Sequence, residues 1–161
     1  VFDSEDAPNY HSDTENVYWE VAKKWNIEEF LKQYAEKHKV DGVALQGETA
    51  GCSLQGVKIQ GDPHQFGELR FFGFDLYVKG VGKTNILDAK KECNEFGIEW
   101  VPVTNLNYMM PDSCEELLNH ATGDCEAPGA HGLREGYVYR KNGDAKMSFK
   151  AVSNEYLLKK K

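Results

Sequence analysis

One carboxylate and one lysine near the end of the chain could hold a common ligand. Glu135 precedes Gly136 at the start of an alternating run, and Lys150 lies inside the otherwise uncharged run 147–154. Asn142-Gly143 separates the two runs, and this dipeptide is typical of a β-hairpin turn because both turn residues need a positive φ. A hairpin would place Glu135 and Lys150 close together, as anionic and cationic walls of one site. The alternative is an exposed surface ion pair, which contributes little to stability.

Two predicted strands carry further candidate ligand-binding residues. Residues 43–48 (VALQGE) predict a short strand that ends in Glu48, and residues 69–78 (LRFFGFDLYV) predict an apolar, aromatic strand. Aromatic side chains on a strand are most simply core residues, but Phe74 and Asp75 form an aromatic–acid pair in its middle. Because successive side chains of a strand point to opposite faces, Asp75 is predicted to face away from Phe74.

Helices are predicted wherever apolar residues recur at helical spacing behind a capping residue. Strands at both ends of a helical middle, without regular βαβ alternation, predict an α+β fold with a largely antiparallel sheet and flanking helices. A short strand is also predicted over Trp100–Val103. The predicted helices are one behind the capping box Ser12–Glu15 that ends near Trp25, one from the N-cap Asn26 to about Lys39, one over 85–96 closed by Gly97, and one that opens at Ser113 and ends at Gly123.

Composition narrows the class of protein. A chain of 161 residues with 40% hydrophobic content predicts one domain over 1–161 with a substantial core. The net charge of −7 argues against nucleic-acid binding by a general basic field, but it leaves room for a local site. No apolar run approaches the roughly 20 residues of a membrane span, so no membrane partner is expected. Four cysteines without a C-x-x-C pair predict free thiols in a reducing, intracellular (cytoplasmic) environment.

Phosphate-binding loops of the common kinds are not predicted. The glycine-rich segment 49–63 contains neither G-x-G-x-x-G nor an ending G-K-[ST]. A Rossmann site and a P-loop are therefore unsupported, and any phosphate contact has to come from side chains elsewhere.

Four short segments, taken in order, resemble motifs III, IIIa, IV and V of the ATP-dependent RNA ligases. They are QGE at 46–48, FFGFD at 71–75, REGYVYR at 134–140 and SFKAVSN at 148–154. The segment LQGETAG followed by a second IQG, and the ending FKAVSNEYLLK, are most similar to the Deinococcus-type and phage second-family RNA ligases. The resemblance covers residues 16–160 and implies an ATP-grasp-like nucleotidyltransferase domain.

The resemblance implies that RNA ends are sealed in three steps. A lysine attacks the α-phosphate of ATP and becomes a lysyl-adenylate, AMP then passes to an RNA 5′-phosphate, and a 3′-hydroxyl finally displaces AMP. It also implies ATP and a divalent metal, Mg²⁺ or Mn²⁺, as cofactors, and nicked or broken RNA ends as partners.

Each candidate residue takes a role from this resemblance. Lys150 would grip the α-phosphate, Glu135 would help to hold the metal, and Glu48 would lie near the ribose and the reacting centre. Phe74 would stack on adenine with Asp75 beside it. These residue types suit phosphoryl transfer, which depends on cations and metal ions around an anionic centre.

Two departures from the family pattern concern cations. Several relatives have K-x-K in motif V, whereas this chain has Ser148 where the first lysine would stand, so only Lys150 is matched and substitution by Lys146 stays open. The nucleophile motif K-x-D-G is matched in letters by Lys39-Val-Asp-Gly42, but Lys39 lies only nine positions before Glu48, at the end of a predicted helix. We therefore expect Lys39 to be a helix-terminal cation, the true nucleophile to lie upstream of Val1, and 1–161 to be an incomplete RNA ligase adenylyltransferase domain without activity of its own.

Other functions stay open at this point. Within the superfamily, the chain could be part of a DNA ligase or of a capping-type guanylyltransferase. In a different class, it could be a non-catalytic module that binds a nucleotide or an RNA end, which the absent nucleophile favours and the two retained acids disfavour. A plain structural α+β domain with coincidental motifs is the remaining alternative.

Overall fold

The computed structural model describes residues 16–142 and 144–159. Within these residues the secondary structure is mixed, with antiparallel strands and short helices. The helices are α1 (Val17–Lys24), α2 (Ile27–His38), α3 (Ile86–Phe96), α4 (Cys114–Ala121) and α5 (Asn154–Lys159), with a 3₁₀ turn at Ile59–Gly61. The strands are β1 (Val43–Ala50), β2 (Arg70–Val78), β3 (Gly82–Lys83), β4 (Gly136–Lys141) and β5 (Asp144–Val152).

Side-chain caps fix the starts of several helices. The side chain of Asn85 accepts hydrogen bonds from the backbone of Leu87 and Asp88 at the start of α3, and Ser113 accepts one from Glu116 at the start of α4. The predicted Ser113 cap is thus confirmed, while the predicted capping box Ser12–Glu15 lies outside the described residues. These bonds satisfy backbone donors that the first helical turn leaves without partners.

Asn26 occupies the N-cap position of α2, as predicted, but its side chain does not cap the helix. Asn26 has a left-handed conformation (φ 49°) and its side chain makes no capping hydrogen bond. Only Trp25 and Asn26 separate α1 from α2, and the Asn26 backbone N–H donates to the carbonyl of Lys23. Asn26 therefore closes the turn between the two helices, a conformation that asparagine tolerates better than most residues.

Strands β1, β2 and β3 form one antiparallel sheet in that order. Val43 and Leu45 of β1 pair with Val78 and Leu76 of β2, and these side chains belong to the core. Helices α2 and α3 cover this face. The rest of the buried cluster includes Phe30, Tyr34, Phe71, Ala89, Cys93, Ile98 and Trp100.

A register shift interrupts the pairing of β1 with β2. Gln46 pairs with Asp75, but the next residue, Gly47, pairs with Gly73, so Phe74 is the extra residue of a β-bulge. The alternation that predicts opposite faces for Phe74 and Asp75 breaks at this bulge. Beyond it, Asp75 lies on the face of Gln46 and Glu48, away from the core.

The strand predicted over Trp100–Val103 is wrong. Trp100 forms only an isolated parallel bridge with Gly73, where the Val101 N–H donates to the Gly73 carbonyl. Pro102 follows and has no N–H to continue a ladder. The segment remains a single bridge beside β2.

Strands β4 and β5 form a separate antiparallel hairpin. Lys141 pairs with Asp144, which leaves a two-residue connection, as the Asn142-Gly143 turn predicts, although Gly143 lies outside the described residues. Helix α4 packs against β5. Two antiparallel sheets with flanking helices confirm the predicted α+β class.

No helix among the described residues is both long enough and apolar enough to span a membrane.

Candidate functional site

The hairpin brings Glu135 and Lys150 into direct contact. Lys150 lies in β5 opposite Val138, while Glu135 immediately precedes β4, and the Lys150 ammonium donates a hydrogen bond to the Glu135 carboxylate. The backbone carbonyl of Glu135 accepts a hydrogen bond of 2.8 Å from the Ser153 N–H. This backbone bond fixes where Glu135 lies along the hairpin. The predicted proximity of Glu135 and Lys150 is confirmed.

Gly136 permits this approach of the two arms. A Cβ atom at position 136 would lie 2.0 Å from the carbonyl oxygen of Ala151, so only glycine fits without movement of the backbone. Glu135-Gly136 is therefore a structural unit in which glycine lets the chain pass close to β5 and glutamate occupies the position just before the strand.

The two faces of the hairpin differ in chemistry. Directly paired side chains share a face, so Arg140, Ser148 and Lys150 lie on one side. Tyr139 and Phe149 lie on the other side, where their rings stack with centroids 5.1 Å apart and α4 covers part of the face. One face is thus polar and cationic, and the other is aromatic.

The polar face of the hairpin meets the first sheet through Arg140. Its guanidinium forms an ion pair of 2.5 Å with the Asp75 carboxylate, and Lys83 of β3 donates to the second carboxylate oxygen at 2.8 Å. Asp75 is 6% exposed. Burial would raise the pKa of the Asp75 carboxyl, but the hydrogen bonds and charges of Arg140 and Lys83 outweigh burial and hold that pKa below its usual value.

Phe74 lies at the same junction of the two sheets. It is half-buried, and its backbone carbonyl accepts a hydrogen bond of 3.3 Å from the Arg140 guanidinium. The bulge and Arg140 together hold Phe74 near the polar face of the hairpin, while Asp75 is engaged in ion pairs. The predicted partners of the nucleotide base are thus tied to the hairpin that carries Lys150.

Glu48 lies on the outer face of β1, opposite Phe72, and is exposed. Glu48, His64 and Tyr156 line a small recess. Burial raises the pKa of the Tyr156 hydroxyl, and the negative charges of Glu135 and Glu48 raise it further. Both acids therefore lie near the Tyr156 hydroxyl.

His64 and Cys125 form a second polar pair beside this recess. The thiol is the main cause of a raised His64 pKa, and the His64 ring also hydrogen-bonds the Leu133 carbonyl at 3.1 Å through Nδ1. Burial would raise the pKa of Cys125, but the hydrogen bond with His64 lowers it. The structure places His64 in a loop, against the segment that leads into Glu135.

Arg134 anchors the residue just before Glu135. Its guanidinium donates to the carbonyls of Ala121 and Thr122 at the end of α4, and it lies 3.9 Å from the centre of the Tyr137 ring. These contacts satisfy carbonyls that the helix end leaves open. The position of Glu135 is therefore supported from the helix side as well as from β5.

Lys39 lies away from these residues. It directly follows α2 with a left-handed φ of 54° and is exposed, as predicted for a helix-terminal cation. Strand β1 rises about 3.3 Å per residue, so Val43 and Glu48 are roughly 17 Å apart along it. Lys39 precedes Val43, and it therefore lies beyond the opposite end of β1 from Glu48.

The metal implied by the resemblance needs few protein ligands. Among the described residues, no three His, Cys, Asp or Glu side chains converge as a self-contained metal site. Mg²⁺ at nucleotide sites is usually held by one or two carboxylates, with waters and substrate phosphates completing its shell. The partly exposed carboxylate of Glu135, beside a lysine on a polar face, fits this shared mode.

The structure also identifies residues that the sequence does not single out. Arg140 and Lys83 contact Asp75, from which they lie 65 and 8 positions away in the chain, and Tyr156 lies near Glu48 and Glu135. For Arg140 the Asn142-Gly143 turn predicts only the hairpin, because the pairing shifts between Arg140 and Lys141, and a ladder continued from the turn without that shift would not place Arg140 opposite Ser148. Lys83 and Tyr156 carry no comparable pattern.

Comparison with known proteins identifies the family and similar folds. A family model described as RNA ligase matches residues 3–152. No curated protein matches the chain significantly in sequence. Similar solved structures include a Naegleria gruberi RNA ligase variant with ATP and Mn (26% identity, TM-score 0.74, covering 93% of this chain and 42% of that one). Another variant with AMP and Mn gives 27% identity and a TM-score of 0.71 over 92% of this chain and 42% of that one.

The same RNA ligase with PPi shares 26% identity and a TM-score of 0.67, over 94% of this chain and 42% of that chain. This chain thus spans less than half the length of the solved structures that it matches. The family match extends over most of its own residues and includes β1, β2 and the hairpin. The chain belongs to the RNA ligase family.

Proposed function

We propose that this chain forms the nucleotide-binding part of an ATP-dependent RNA ligase, which joins RNA 5′-phosphate and 3′-hydroxyl ends through lysyl-AMP and RNA-adenylate intermediates. The observation that carries the proposal is the contact of Lys150 with Glu135 on the hairpin of an RNA ligase family domain. An exposed surface pair of no function would not need Gly136, Ser153 and Arg134 to fix its position.

Each described residue has a defined task in this proposal. Phe74, held at the junction of the two sheets, stacks on adenine, and such stacking contributes roughly 1–3 kcal/mol per base. Lys150 leaves Glu135 to bind the α-phosphate and stabilises the charge that develops there during AMP transfer. Glu48 orients the ribose from the outer face of β1.

Glu135 would hold the divalent ion together with the nucleotide phosphates. When bound, that ion would supply neutralisation of phosphate charge, which favours attack on an anionic centre. In the chain alone, Lys150 keeps the Glu135 carboxylate in place, so the acid is positioned before nucleotide and metal arrive.

The lysine that accepts AMP is a separate part of the proposal. We propose that Lys39 is not this lysine, because it lies beyond the far end of β1 from Glu48 and closes α2 in a left-handed conformation. The 161 residues then bind ATP but form no covalent AMP adduct, since electrostatic stabilisation cannot replace a nucleophile.

Two measurements on this chain test the proposal. Titration calorimetry with ATP and MnCl₂ should detect binding that falls at least about tenfold in Lys150→Met and in Phe74→Ala, through loss of a charge-assisted bond and of base stacking. Lys91→Met, at an exposed lysine of α3, is the matched control and should bind as the unchanged chain does. No binding, or equal binding by all four proteins, would contradict a nucleotide site here.

Incubation with α-labelled ATP and Mn²⁺ tests the nucleophile. We expect no labelled protein after denaturing electrophoresis. A label that disappears in Lys39→Ala would show that Lys39 accepts AMP and that this part of the proposal is wrong.

A non-catalytic module that binds a nucleotide or an RNA end is the second candidate, favoured by the position of Lys39. The two functions separate at Glu135. In a longer version of the protein, a ligase should seal nicked RNA and lose sealing in Glu135→Ala, whereas a binding module would show no sealing and would bind ATP unaffected by this change. Comparison of nicked RNA with nicked DNA in the same assay would expose a DNA ligase.

A further inference from the structure

Position 148 lacks a cation, and the structure places another one beside it. The family pattern described above has a lysine where this chain has Ser148. Across the hairpin, Ser148 pairs directly with Arg140. Directly paired residues share a face and have Cβ atoms about 4.5–5.5 Å apart. Arg140 therefore brings a positive charge to the same face as Lys150, from the opposite strand.

The charges around Arg140 do not cancel. Arg140 and Lys83 are two cations, and Asp75 is the single carboxylate between them, which leaves one surplus positive charge. The contacts with Asp75 and with the Phe74 carbonyl involve two of the five N–H groups of a guanidinium. The Arg140 side chain is 22% exposed, so further donors can reach a ligand between the two sheets.

We propose that Arg140 binds phosphate oxygens of the nucleotide together with Lys150 and takes the place of the cation that is missing at position 148. This inference rests on the proposed function, because it assigns a further residue to the same nucleotide site. Asp75 and the Phe74 carbonyl hold the guanidinium in place before the ligand arrives, which lowers the entropy cost of binding. A planar guanidinium also suits bidentate binding of phosphate.

Variants that move the positive charge from β4 to β5 give the first test. We expect Arg140→Met to weaken binding of ATP with Mn²⁺ by about ten- to hundredfold, the range for loss of a charge-assisted hydrogen bond. Adding Ser148→Lys to Arg140→Met should restore most of this loss, because it returns a cation to the same face. Lys141→Met removes the neighbouring exposed cation and should change the affinity less than about twofold. An Arg140→Met chain that binds ATP normally would overturn the inference.

A variant at Asp75 separates ligand binding from a purely structural role. Asp75→Asn weakens the contact between the sheets but keeps the Arg140 cation, so its melting temperature should fall, whereas its ATP affinity should fall by less than that of Arg140→Met. A merely structural Arg140 would make Asp75→Asn lose as much affinity as Arg140→Met. That result, in variants whose circular dichroism matches the unchanged chain, would overturn the inference.

A third variant leaves the Arg140–Asp75 contact intact. Ser148→Lys in the otherwise unchanged chain should alter ATP affinity by less than about threefold, because Arg140 already serves the position. A tightening of tenfold or more would show that the position lacks a cation and would overturn the inference even if Arg140→Met failed to fold.

The role of Arg140 and the proposed function can be contradicted separately. Sensitivity of ATP binding to Lys150→Met without sensitivity to Arg140→Met would remove the role of Arg140 and leave the nucleotide site intact. An unchanged chain that binds no ATP would overturn both.

Discussion

The molecule contains two ion-paired groups that use the same kinds of side chain in different surroundings. Asp75 with Arg140 and Lys83 joins the two sheets, and its carboxylate side chain is 7% exposed. Glu135 with Lys150 joins the arms of one hairpin, and its side chains are 32% and 42% exposed. A buried pair costs several kilocalories to break, whereas an exposed pair contributes little.

The difference in exposure indicates that the two ion-paired groups have different roles. The buried group holds the hairpin against the first sheet and positions Phe74, so it contributes mainly to the stability of the fold. The exposed pair can open at low cost, and in the proposed function this would free a lysine for phosphate and a carboxylate for metal. A site of this kind needs one ion pair that stays closed and one that yields to the ligand.

Removal of the buried carboxylate should have the largest effect. Asp75→Ala leaves two neighbouring cations without their partner, and we expect it to lower the free energy of unfolding by about 3 kcal/mol. Urea denaturation followed by circular dichroism would measure the change. A loss below about 1 kcal/mol would mean that the two groups do not differ in strength.

Removal of the exposed lysine should separate binding from stability. We expect Lys150→Met to reduce the affinity for ATP with Mn²⁺ by about ten- to hundredfold, or roughly 1.5–3 kcal/mol. Its free energy of unfolding should change by less than about 1 kcal/mol, because the pair is exposed. Calorimetry and urea denaturation of the same sample would measure both quantities. A loss of affinity together with a large loss in the free energy of unfolding would show that Lys150 acts through stability.

Acid should weaken the buried group selectively. The pKa of Asp75 in the folded protein is below its ordinary value of 3.8, so its stabilising effect is complete above that ordinary value. It is lost as the pH falls from about 4 through the lower folded pKa, when protons bind the unfolded state more readily. Urea midpoints from pH 5 to pH 2 should therefore fall more steeply for the unchanged chain than for Asp75→Asn. Parallel slopes would contradict this account.

Neutralisation of the exposed acid should have the smallest effect on stability. Glu135→Gln keeps the shape of the side chain, and we expect it to change the free energy of unfolding by less than about 0.5 kcal/mol. Lys91→Met breaks the exposed Lys91–Glu95 pair of α3 and provides the reference for a surface pair. A clearly larger loss in Glu135→Gln would show that the hairpin pair also holds the fold together.

Local patterns predicted one of these groups and missed the other. The Asn142-Gly143 turn predicts the hairpin and therefore the proximity of the two arms that carry Glu135 and Lys150, although the register shifts between Arg140 and Lys141. The Arg140–Asp75 pair joins residues 65 positions apart, and no local pattern encodes such a contact. The Phe74 bulge is equally hidden, because it depends on how β1 and β2 pair.

The same division applies to the secondary structure. Ser113 and Gly97 delimit helices through capping chemistry that acts within one turn, and both were predicted. Asn26 carries a capping residue type but serves a tight turn between helices, and Trp100–Val103 has strand-forming residues that Pro102 limits to one bridge. Residue type was informative where the neighbours in sequence are also the neighbours in space.

Because Phe74 is an extra residue, the side chains of β2 that face the core change from odd-numbered to even-numbered positions. Before Phe74, the odd-numbered Phe71 and Gly73 pair with Thr49 and Gly47, on the core face; after it, the even-numbered Leu76 and Val78 take over that face. A deletion of Phe74 would therefore restore regular alternation along β2 and leave the same side chains facing the core, because the extra residue alone separates the two halves of the strand. The bulge thus adds a residue at the junction of the two sheets without exposing the core residues on either side of it.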